Sequence, residues 1–422
     1  MALYLGIDVG TSGCRGVLID EQGEGCGEYR VELASPTGEG RQREQDPMRW
    51  WDALLKVLTA LAQPDLGTIA IDGTSATTLL VDPNGEPTTP GLMYNDSRAE
   101  TAAARIADFA PSDSPARGAG SSLAKALHLR AQAPGRVQQQ SDWLSARLCG
   151  RFGWTDENNA LKLGYDVQQR QWPQWLLSLL PDADFLPEVV QPGTPVGRLA
   201  PQWCQLLGIA EAPLIVAGTT DSTAAFLATG AAEPGDAVTS LGSTLVLKVV
   251  ADRPIASARH GVYSHRLGDL WLAGGASNAG GAVLRQYFAD ADLARLSKGL
   301  SKGLNPYQPS GLDYYPLARP GERFPIADPD LAPRLTPRPA NQARFLQGML
   351  EGLTRIEAQG YRLLQELGAP WPKRVFSVGG GATNPVWTAM RAAALGVPLN
   401  QPRYSEAAYG AALLARQGAL KG

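Results

Sequence analysis

Apolar residues in this chain fall into short runs whose spacing alternates between that of strands and that of helices. Near the start, Tyr4 to Ile7 and Gly16 to Ile19 flank a short polar turn, which predicts a β-hairpin. Trp, Leu and Val then recur at helical spacing over Met48 to Ala62, and two further strands are predicted at Thr68 to Asp72 and Leu79 to Asp82. Strands that alternate with helices are typical of an α/β fold.

The same succession begins again near the middle of the chain. Leu214 to Gly218 predicts a strand, and Ser222 to Thr229 predicts a helix of small and apolar residues. Ala237 to Val250 then predicts a second hairpin, whose turn Gly242-Ser243-Thr244 has the chemistry of the first turn, Gly10-Thr11-Ser12. The two hairpins, about 230 residues apart, predict two similar domains that face a shared cleft.

The last third of the chain adds one long helix and a glycine-rich turn. Phe345 to Leu367 carries apolar residues at helical spacing, which predicts an amphipathic helix packed on a core. Arg374 to Gly381 reads as a strand that ends in three glycines, and Asn384 to Ala394 as a helix. Such a succession can hold a phosphate or a ribose at the helix N-terminus. The proline-rich stretch Pro316 to Pro339 is predicted to be an ordered loop.

Composition narrows the class of protein. A length of 422 residues predicts two or three domains, and 44% hydrophobic with 19% charged residues is typical of a soluble globular protein. The net charge of −3 provides no basic footprint for nucleic acid. We find no apolar run long enough to span a bilayer and no signal-peptide pattern, so we expect no membrane partner.

Cysteine and histidine usage excludes several metal and nucleophile chemistries. The four cysteines are scattered without a Cys-x-x-Cys pair: Cys14, Cys26, Cys149 and Cys204. This argues against thiolate metal binding and for a reduced, cytoplasmic location. Only three histidines occur, which argues against a zinc hydrolase and a Ser-His-Asp triad. The P-loop, dinucleotide-binding and nucleophile-elbow motifs are also absent from the sequence.

The first turn combines a carboxylate, Asp8, with Gly10, Thr11, Ser12 and Gly13. Small residues let backbone N–H groups approach an anion, and the hydroxyls can donate hydrogen bonds to it. A carboxylate beside a phosphate-sized nest is reasonable if Mg²⁺ lies between the two anions. The alternative is an ordinary hairpin turn, because Gly, Asp and Ser are turn residues in any case.

Two further sites allow both a structural and a functional interpretation. Asp221 follows a predicted strand and precedes a helix, so it is either a helix N-cap or a general base at the strand's carboxyl end. Gly379 to Asn384 is either a flexible loop or a turn that a ligand approaches closely. Asn384 can cap the next helix, and Trp387 is either a core residue or the border of an adenine pocket.

Four segments in order carry a resemblance to a known family: YLGIDVGTSGCRGVLID, AGTTDSTAAFLATGAAEPGDAVTSLGSTLVL, SVGGGATNPVW and EAAYGAALLA. From about residue 3 to residue 415 the chain resembles the FGGY family of carbohydrate kinases. The resemblance implies two ribonuclease-H-like (actin-type ATPase) domains with a central cleft. It implies a sugar-binding domain over residues 1–228 with 402–422, and an ATP-binding domain over 229–401.

The resemblance also implies roles for individual residues. Asp221 would be the base that takes the proton of the sugar hydroxyl, and Asp8 would help to hold Mg²⁺, with Thr11 near the transferred phosphoryl group. Asp8 and Asp221 are the implied metal-binding residues. The implied sugar-binding residues are Asp8, Thr11, Ser12, Gly13, Thr74, Ser75 and Asp221. The implied ATP-binding residues are Gly242, Ser243, Thr244, Gly380, Gly381 and Asn384.

One departure from the common family pattern bears on the substrate. Bacterial xylulokinases usually show Gly-Gln-Met-His where this chain has Gly73-Thr74-Ser75-Ala76, and the Arg-Glu of glycerol kinases is missing. The segments IDGTSATTLLVD, GLDYYPL and GERFPIADPDL are similar to a short xylulokinase-like branch from cyanobacteria and plants. That branch implies conversion of D-ribulose to D-ribulose 5-phosphate with ATP and Mg²⁺. D-Xylulose and another polyol or sugar remain alternative acceptors.

Two alternatives from other classes also stay open. An actin-like ATPase switch would share the paired phosphate hairpins and would hydrolyse ATP without a sugar. A sugar-binding regulatory protein would have lost catalysis, which the intact Asp8 and Asp221 argue against. Sugar-stimulated release of ADP distinguishes the three hypotheses.

Overall fold

The chain divides into two compact units. The computed structural model describes residues 2–180, 183–297, 305 and 308–421. The first unit comprises Met1–Ala228 together with Tyr404–Gly422, and the second comprises Thr229–Arg403.

Strands and helices alternate through the first unit. Its strands are β1 (Leu3–Val9), β2 (Gly13–Ile19), β3 (Gly25–Glu32), β4 (Glu44–Gln45), β5 (Leu66–Gly73), β6 (Thr78–Val81), β7 (Gly91–Leu92), β8 (Arg136–Gln139), β9 (Trp154–Asp156), β10 (Glu188–Val190), β11 (Pro195–Arg198) and β12 (Leu214–Val216). Its helices before residue 229 are α1 (Pro47–Leu61), α2 (Glu100–Ala107), α3 (Ser122–Arg130), α4 (Gln140–Cys149), α5 (Glu157–Ala160), α6 (Gln174–Leu179), α7 (Pro201–Leu207) and α8 (Asp221–Ala228).

The second unit is built in the same way, and the chain then returns to the first unit. The strands of the second unit are β13 (Asp236–Leu241), β14 (Leu245–Ala251), β15 (Tyr263–Leu267), β16 (Leu270–Ala276), β17 (Arg374–Val378) and β18 (Leu399–Asn400). Its helices are α9 (Gly281–Arg285), α10 (Asp290–Ser297), α11 (Gln342–Glu366) and α12 (Pro385–Leu395). The last helix, α13 (Ala407–Ala419), belongs to the first unit.

The central sheets of the two units share a five-stranded arrangement, and the sixth strand differs: β11 pairs with β12 in the first sheet, and β15 pairs with β16 in the second. The first has the order β11-β12-β5-β1-β2-β3 and the second the order β15-β16-β14-β13-β17-β18. In each, an antiparallel hairpin continues into a third antiparallel strand, and two parallel strands lie on the other side of the first strand. The predicted α/β fold with two similar domains is therefore confirmed, and this strand order is consistent with ribonuclease-H-like domains.

Not every predicted strand joins a central sheet. The run at Leu79 to Asp82 forms β6, which belongs to a separate four-stranded sheet of order β4-β7-β6-β8. Periodicity alone marks this run as a strand but carries no information about its partners, because pairing depends on distant residues. The proline-rich stretch contains only isolated bridges, Tyr315 with Arg334 and Glu322 with Asp328.

Helices cover β1 on both faces. Leu5, Ile7 and Val9 pack in one core cluster with α1, while Tyr4 packs in another with α13. On the α13 side the backbones approach closely, because a Cβ atom on Gly6 would lie 2.0 Å from the carbonyl oxygen of Ala408. The small residues of the EAAYGAALLA segment therefore let α13 lie directly on the central sheet.

Gly410 provides a test of this close packing. A Cβ atom there would lie 1.8 Å from the carbonyl oxygen of Ala224 in α8. Gly to Ala ordinarily stabilises a helix interior by about 1 kcal/mol, but overpacking costs about 1–3 kcal/mol. We expect Gly410→Ala to lower the free energy of unfolding in urea. Gly118→Ala, where no heavy atom lies within 4 Å, is the control, and equal stability of the two variants would contradict the packing argument.

Candidate active site

Two aspartates meet at the centre of the first sheet. Asp8 in β1 and Asp72 in β5 are direct register partners in a parallel pair of strands. Residues opposite one another in parallel strands point to the same face. The two carboxyl groups are therefore neighbours near the carboxyl ends of both strands, where α/β proteins gather their ligands.

Burial dominates the electrostatics of this pair. Asp72 is fully buried, and burial raises its pKa well above the ordinary value, with the Asp8 charge as the next cause. Burial also raises the pKa of Asp8 to about 6; a hydrogen bond from Asp72 opposes this shift, and the Asp221 charge adds to it. Two carboxyl groups hydrogen-bond to each other only when one is protonated, so the more deeply buried Asp72 keeps the proton.

The same pair contains unmet hydrogen-bonding capacity. The two carboxyl groups contact each other. Among the described residues, no other group donates a hydrogen bond to Asp8 Oδ1 or to either carboxyl oxygen of Asp72. A buried polar group without a partner costs about 1–3 kcal/mol. Such unmet acceptors at the carboxyl ends of strands indicate a place where a ligand or cation binds.

Asp221 belongs to the same carboxylate cluster. Its charge raises the pKa of Asp8 and that of Asp72. Asp221 is the first residue of α8, and its Oδ1 accepts a hydrogen bond of 2.6 Å from the backbone N–H of Ser222. The carbonyl of Thr220 accepts from the N–H groups of Thr223 and Ala224, so Thr220 occupies the cap position. The helix therefore does not depend on Asp221 as its N-cap.

Hydrogen bonds within the turn and from a buried side chain fix the backbone of the turn between β1 and β2. Gly10 N–H donates to the carbonyl of Gly13 at 2.9 Å. Buried Gln45 donates through Nε2 to the carbonyl of Thr11 at 3.2 Å and accepts from Trp50 Nε1 at 2.8 Å. Ser12 is exposed and Thr11 is half-buried. The backbone of this turn is thus fixed by Gln45, a core residue that the sequence pattern did not indicate.

A buried polar layer lies beside the strand ends. Thr74 is 7% exposed and hydrogen-bonds to Gln140 and Thr77, while Ser75 is half-buried. Thr219, shortly before Asp221, donates to Asp156 Oδ1 at 3.3 Å and accepts from Asn158 at 3.0 Å. Asn159 joins the two groups, because its Nδ2 donates to Asp156 Oδ2 at 2.8 Å and to Oγ of Ser141, the residue after Gln140, at 3.3 Å.

Asp72 and the buried run 138–142 were not predicted as site residues, although two features of the sequence indicate them. Asp72 ends an apolar run in Ile-Asp, as Asp8 does, so the repeated dipeptide could have identified the pair. The uninterrupted polar run Gln138-Gln-Gln-Ser-Asp142 precedes the apolar Trp143-Leu144, and all five of its residues are buried. A buried run of this kind is uncommon unless its groups are hydrogen-bonded.

Asp142 and Asp156 make a pH-dependent contribution to stability. Burial raises the pKa of Asp156 to about 7 and, with the Asp156 charge as the second cause, raises that of Asp142 well above its usual range. Neutral forms of both groups favour the folded state, so this contribution is complete below about pH 4. It is lost as the pH rises through the folded-state value of Asp156, about 7.

We therefore expect Asp142→Asn to reduce the loss of stability between about pH 5 and pH 8. Asparagine keeps the acceptor for the Thr155 hydroxyl and removes one of the two acids that repel each other. Urea unfolding at several pH values measures the difference from the wild-type protein. Asp52→Asn, at an exposed position of α1, is the control, and parallel pH profiles for wild type and Asp142→Asn would contradict the assignment.

The second unit contains a cavity of about 580 Å³. Gly242, Ser243, Gly380, Gly381 and Asn384 line it, whereas Thr244 is not among the lining residues. Its remaining wall is largely apolar and includes Leu284, Leu293, Leu346, Leu350 and Trp387. An apolar cavity with a few convergent backbone and amide groups suits a flat ring attached to a polar chain.

The glycine turn and the start of α12 shape this cavity. Asn384 Oδ1 accepts from the N–H groups of Val386 and Trp387 at 3.1 Å, so Asn384 is the N-cap of α12. Trp387 is 2% exposed and donates through Nε1 to Thr354 at 3.1 Å, so it is both a core residue and part of the cavity wall. A Cβ atom on Gly381 would lie 2.5 Å from the Trp387 ring.

The second hairpin turn is tied to α9. Gly281 N–H donates to the carbonyl of Gly242 at 2.8 Å, and Ala282 N–H donates to that of Ser243 at 3.1 Å. Leu245 N–H donates to the carbonyl of Ala279 at 2.7 Å. The small residues between β16 and α9 therefore support the turn that borders the cavity.

The first carboxylate cluster fits a cation with few protein ligands. No group of three His, Cys, Asp or Glu side chains suited to a metal ion occurs within residues 2–180, 183–297, 305 and 308–421. Mg²⁺, however, is usually bound by one or two carboxylates together with substrate phosphates and waters. A nearby cation would provide a partner for Asp8 Oδ1 and would lower the pKa of Asp8, which burial raises.

Of two similar α/β units, the first therefore carries a carboxylate cluster and the second an apolar cavity. The N-terminal domain of the FGGY family of carbohydrate kinases matches residues 3–228, and the C-terminal domain of that family matches residues 237–418. The chain belongs to the FGGY family of carbohydrate kinases.

Individual proteins are similar to this chain in sequence or in fold. The xylulose kinase of Escherichia coli (strain K12) is 25% identical over 412 residues, which cover 92% of this chain and 84% of that protein. A ligand-bound xylulose kinase from Lactobacillus acidophilus superimposes with a TM-score of 0.86 at 19% identity, covering 100% of this chain and 90% of its own. A Plasmodium falciparum glycerol kinase solved with ADP has a TM-score of 0.86 at 16% identity, with coverages of 100% and 90%.

The described helices include none that is both long and apolar enough to cross a membrane.

Proposed function

We propose that the protein transfers the γ-phosphoryl group of ATP to the terminal hydroxyl of a ketopentose, with D-ribulose as the favoured acceptor and D-ribulose 5-phosphate as the product. The observation that supports this most is the cluster of Asp8, Asp72 and Asp221 at the carboxyl ends of adjacent strands. Family membership supplies the reaction class, a carbohydrate kinase.

In this proposal Asp221 is the general base. Asp221 is the first residue of α8, and its carboxylate accepts a hydrogen bond from the N–H of Ser222. Thr220 occupies the cap position, so the helix does not need Asp221 as its cap. A base that accepts the proton of the attacking hydroxyl contributes about 10²–10⁴-fold to the rate.

Asp8, together with Asp221, would hold Mg²⁺, and Thr11 would lie near the transferred phosphoryl group. Mg²⁺ supplies charge neutralisation for the phosphoryl oxygens when bound. Ser12 and Gly13 continue the Thr11 turn, whose backbone is anchored by Gln45. That anchoring keeps the hydroxyl and N–H donors of the turn in place.

We assign the sugar to the domain of residues 1–228 with 402–422 and ATP to the domain of residues 229–401. The cavity in the second unit supports the nucleotide assignment, because five of the six residues proposed to bind ATP line it: Gly242, Ser243, Gly380, Gly381 and Asn384. Thr244, the sixth, directly follows Ser243. Trp387 and the leucines would contact the base, and the glycine turns would approach the phosphates.

D-Xylulose is the second candidate acceptor. Eight curated relatives, which match this chain at 23–28% identity, are named xylulose kinases. In favour of D-ribulose, this chain has two small hydroxyl residues, Thr74 and Ser75, in the segment where xylulokinases usually show Gly-Gln-Met-His. The two sugars differ in the configuration of one hydroxyl, so a hydroxyl contact at this position can distinguish them.

One assay tests the proposal. ADP release is measured with ATP, Mg²⁺ and, in turn, D-ribulose, D-xylulose, ribitol, glycerol and no sugar. We expect the largest kcat/KM with D-ribulose and little release without sugar. Faster turnover of D-xylulose would replace the acceptor, and sugar-independent ADP release would favour an actin-like ATPase and overturn the kinase proposal.

A further inference from the structure

One buried amide, that of Gln140, controls the side chain of Thr74. Gln140 is the first residue of α4 and is 1% exposed. Its Oε1 accepts two hydrogen bonds from Thr74, one from the backbone N–H and one from the hydroxyl, both at 3.1 Å. The backbone of Gln140 is itself fixed, because its N–H donates to the carbonyl of Thr77 at 3.0 Å.

The orientation of this amide follows from its partners. A backbone N–H can only donate, so the group that faces Thr74 N–H must be the carbonyl oxygen of Gln140. The same oxygen then faces the Thr74 hydroxyl, which must donate to it. The single proton of that hydroxyl is therefore directed at Gln140.

The contact with Thr77 determines which hydrogen-bonding capacity remains on the Thr74 hydroxyl. Thr74 Oγ is also hydrogen-bonded to Thr77 Oγ. Because the Thr74 proton points to Gln140, the Thr77 hydroxyl must be the donor in this second bond. The hydroxyl of Thr74 has two acceptor lone pairs, and Thr77 uses one of them. The capacity that remains on Thr74 is one lone pair.

We propose that Gln140 is a positioning residue for substrate selection: it holds the Thr74 hydroxyl as a hydrogen-bond acceptor, so that the site selects a sugar hydroxyl that donates there. The inference rests on the proposed function, which places the ketopentose on Thr74 and Ser75. Gln140 itself acts only through Thr74. Selection by an oriented acceptor disfavours a ligand that presents a hydrogen or a pure acceptor at the same place.

The neighbouring residue provides a matched control. Gln139 is also 1% exposed, and its Oε1 also accepts from hydroxyls, those of Thr78 and Ser122 at 3.3 Å. In both residues Nε2 is buried without a hydrogen-bond partner among the described residues. Substitution of either amide therefore has similar consequences for burial, but only that of Gln140 changes Thr74.

The experiment compares Gln140→Met with Gln139→Met. We expect Gln140→Met to raise the KM for D-ribulose about tenfold, the effect of one lost hydrogen bond, with KM for ATP and kcat within about twofold of wild type. Gln139→Met should leave both KM values within about twofold, whatever it does to the melting temperature. An unchanged KM for D-ribulose in Gln140→Met, or an equal rise in KM for both substrates, would overturn the inference.

A double-mutant cycle isolates the route through Thr74. Thr74→Val alone should raise the KM for D-ribulose, and adding Gln140→Met to it should change that value by less than about twofold. Multiplying effects would show that Gln140 does not act through Thr74. If Gln140→Met does not fold, Gln140→Asn carries the same expectation, because its shorter amide withdraws the acceptor.

Substrate analogues test the direction of the hydrogen bond. A fluorine in place of a hydroxyl can accept but cannot donate. At the carbon that contacts Thr74, the deoxyfluoro and deoxy analogues of D-ribulose should bind the wild-type enzyme equally weakly. Deoxyfluoro analogues that bind as well as D-ribulose at every carbon would refute the acceptor role. A wild-type enzyme that phosphorylates no ketopentose would instead overturn the proposed function, and this inference with it.

Discussion

Asp221→Asn is expected to lower kcat for the sugar by about 10²–10⁴-fold, the contribution of a general base. Asparagine keeps an oxygen that can accept from the N–H of Ser222 but cannot take a proton. Since Thr220 occupies the cap position of α8, we expect the melting temperature to change little. The defect should therefore appear in turnover and not in the amount of folded protein.

The measurement is sugar-dependent ADP release together with calorimetric binding of the sugar. Asp108→Asn, which removes one negative charge at an exposed position of the same unit, should keep wild-type turnover. Retained sugar binding with lost turnover would support the role as base. Near-wild-type turnover of Asp221→Asn would remove Asp221 from that role.

Arg391→Met is expected to have the largest effect on stability. Arg391 and Glu357 are 0% and 1% exposed and form a two-pronged ion pair at 2.6 and 2.7 Å. Ser377 accepts a further hydrogen bond from Arg391 at 2.8 Å, and Thr239 donates to Glu357 at 2.6 Å. Removing the arginine leaves a buried carboxylate without its cation, which costs about 3–5 kcal/mol.

The cost of desolvating a buried charge predicts a second result for the same ion pair. Replacing both partners, as in Glu357→Met with Arg391→Met, should recover much of the lost free energy of unfolding, because no buried charge remains. Arg295→Met is the control; its ion pair with Asp292 joins side chains that are 53% and 47% exposed, and such pairs contribute about 0–1 kcal/mol. Urea unfolding followed by tryptophan fluorescence gives the comparison.

The helix that carries Arg391 also borders the cavity that we propose for the nucleotide. Arg391 lies on α12, one turn after Trp387, and Asn384 caps the same helix. Trp387 and Asn384 line the cavity. We therefore expect Arg391→Met to weaken ADP binding as well as stability. If Arg391→Met lowers the free energy of unfolding by less than about 1 kcal/mol, the strong contribution of this buried ion pair is contradicted.

Local pattern predicted much of the architecture. The helices over Met48 to Ala62 and Phe345 to Leu367 occur at Pro47–Leu61 and Gln342–Glu366. Their ends shifted because caps decide them: Asp46 accepts from Met48 N–H, and Asn341 accepts from Arg344 N–H. Apolar spacing is sufficient for the body of an amphipathic helix, but its ends depend on single side chains.

Part of the candidate site was also visible in the sequence. Asp8 and Asp221 stood out because Asp8 directly follows an apolar strand run, Asp221 comes shortly after one, and small residues accompany both. Asp72 did not stand out, although it is the register partner of Asp8. Register joins residues that are 64 positions apart, and no local pattern specifies which residues of two parallel strands meet.

By itself the sequence determined the strands and helices with strong periodicity, the two similar hairpins, and the acids and glycines that carry the family resemblance, because all of these are properties of neighbouring residues. Only the tertiary structure decided the pairing of Asp8 with Asp72, the raised pKa values that burial causes, the orientation of the Gln140 amide and the residues that enclose the cavity. Burial and hydrogen-bond partners arise from long-range packing, and a one-dimensional pattern does not contain them.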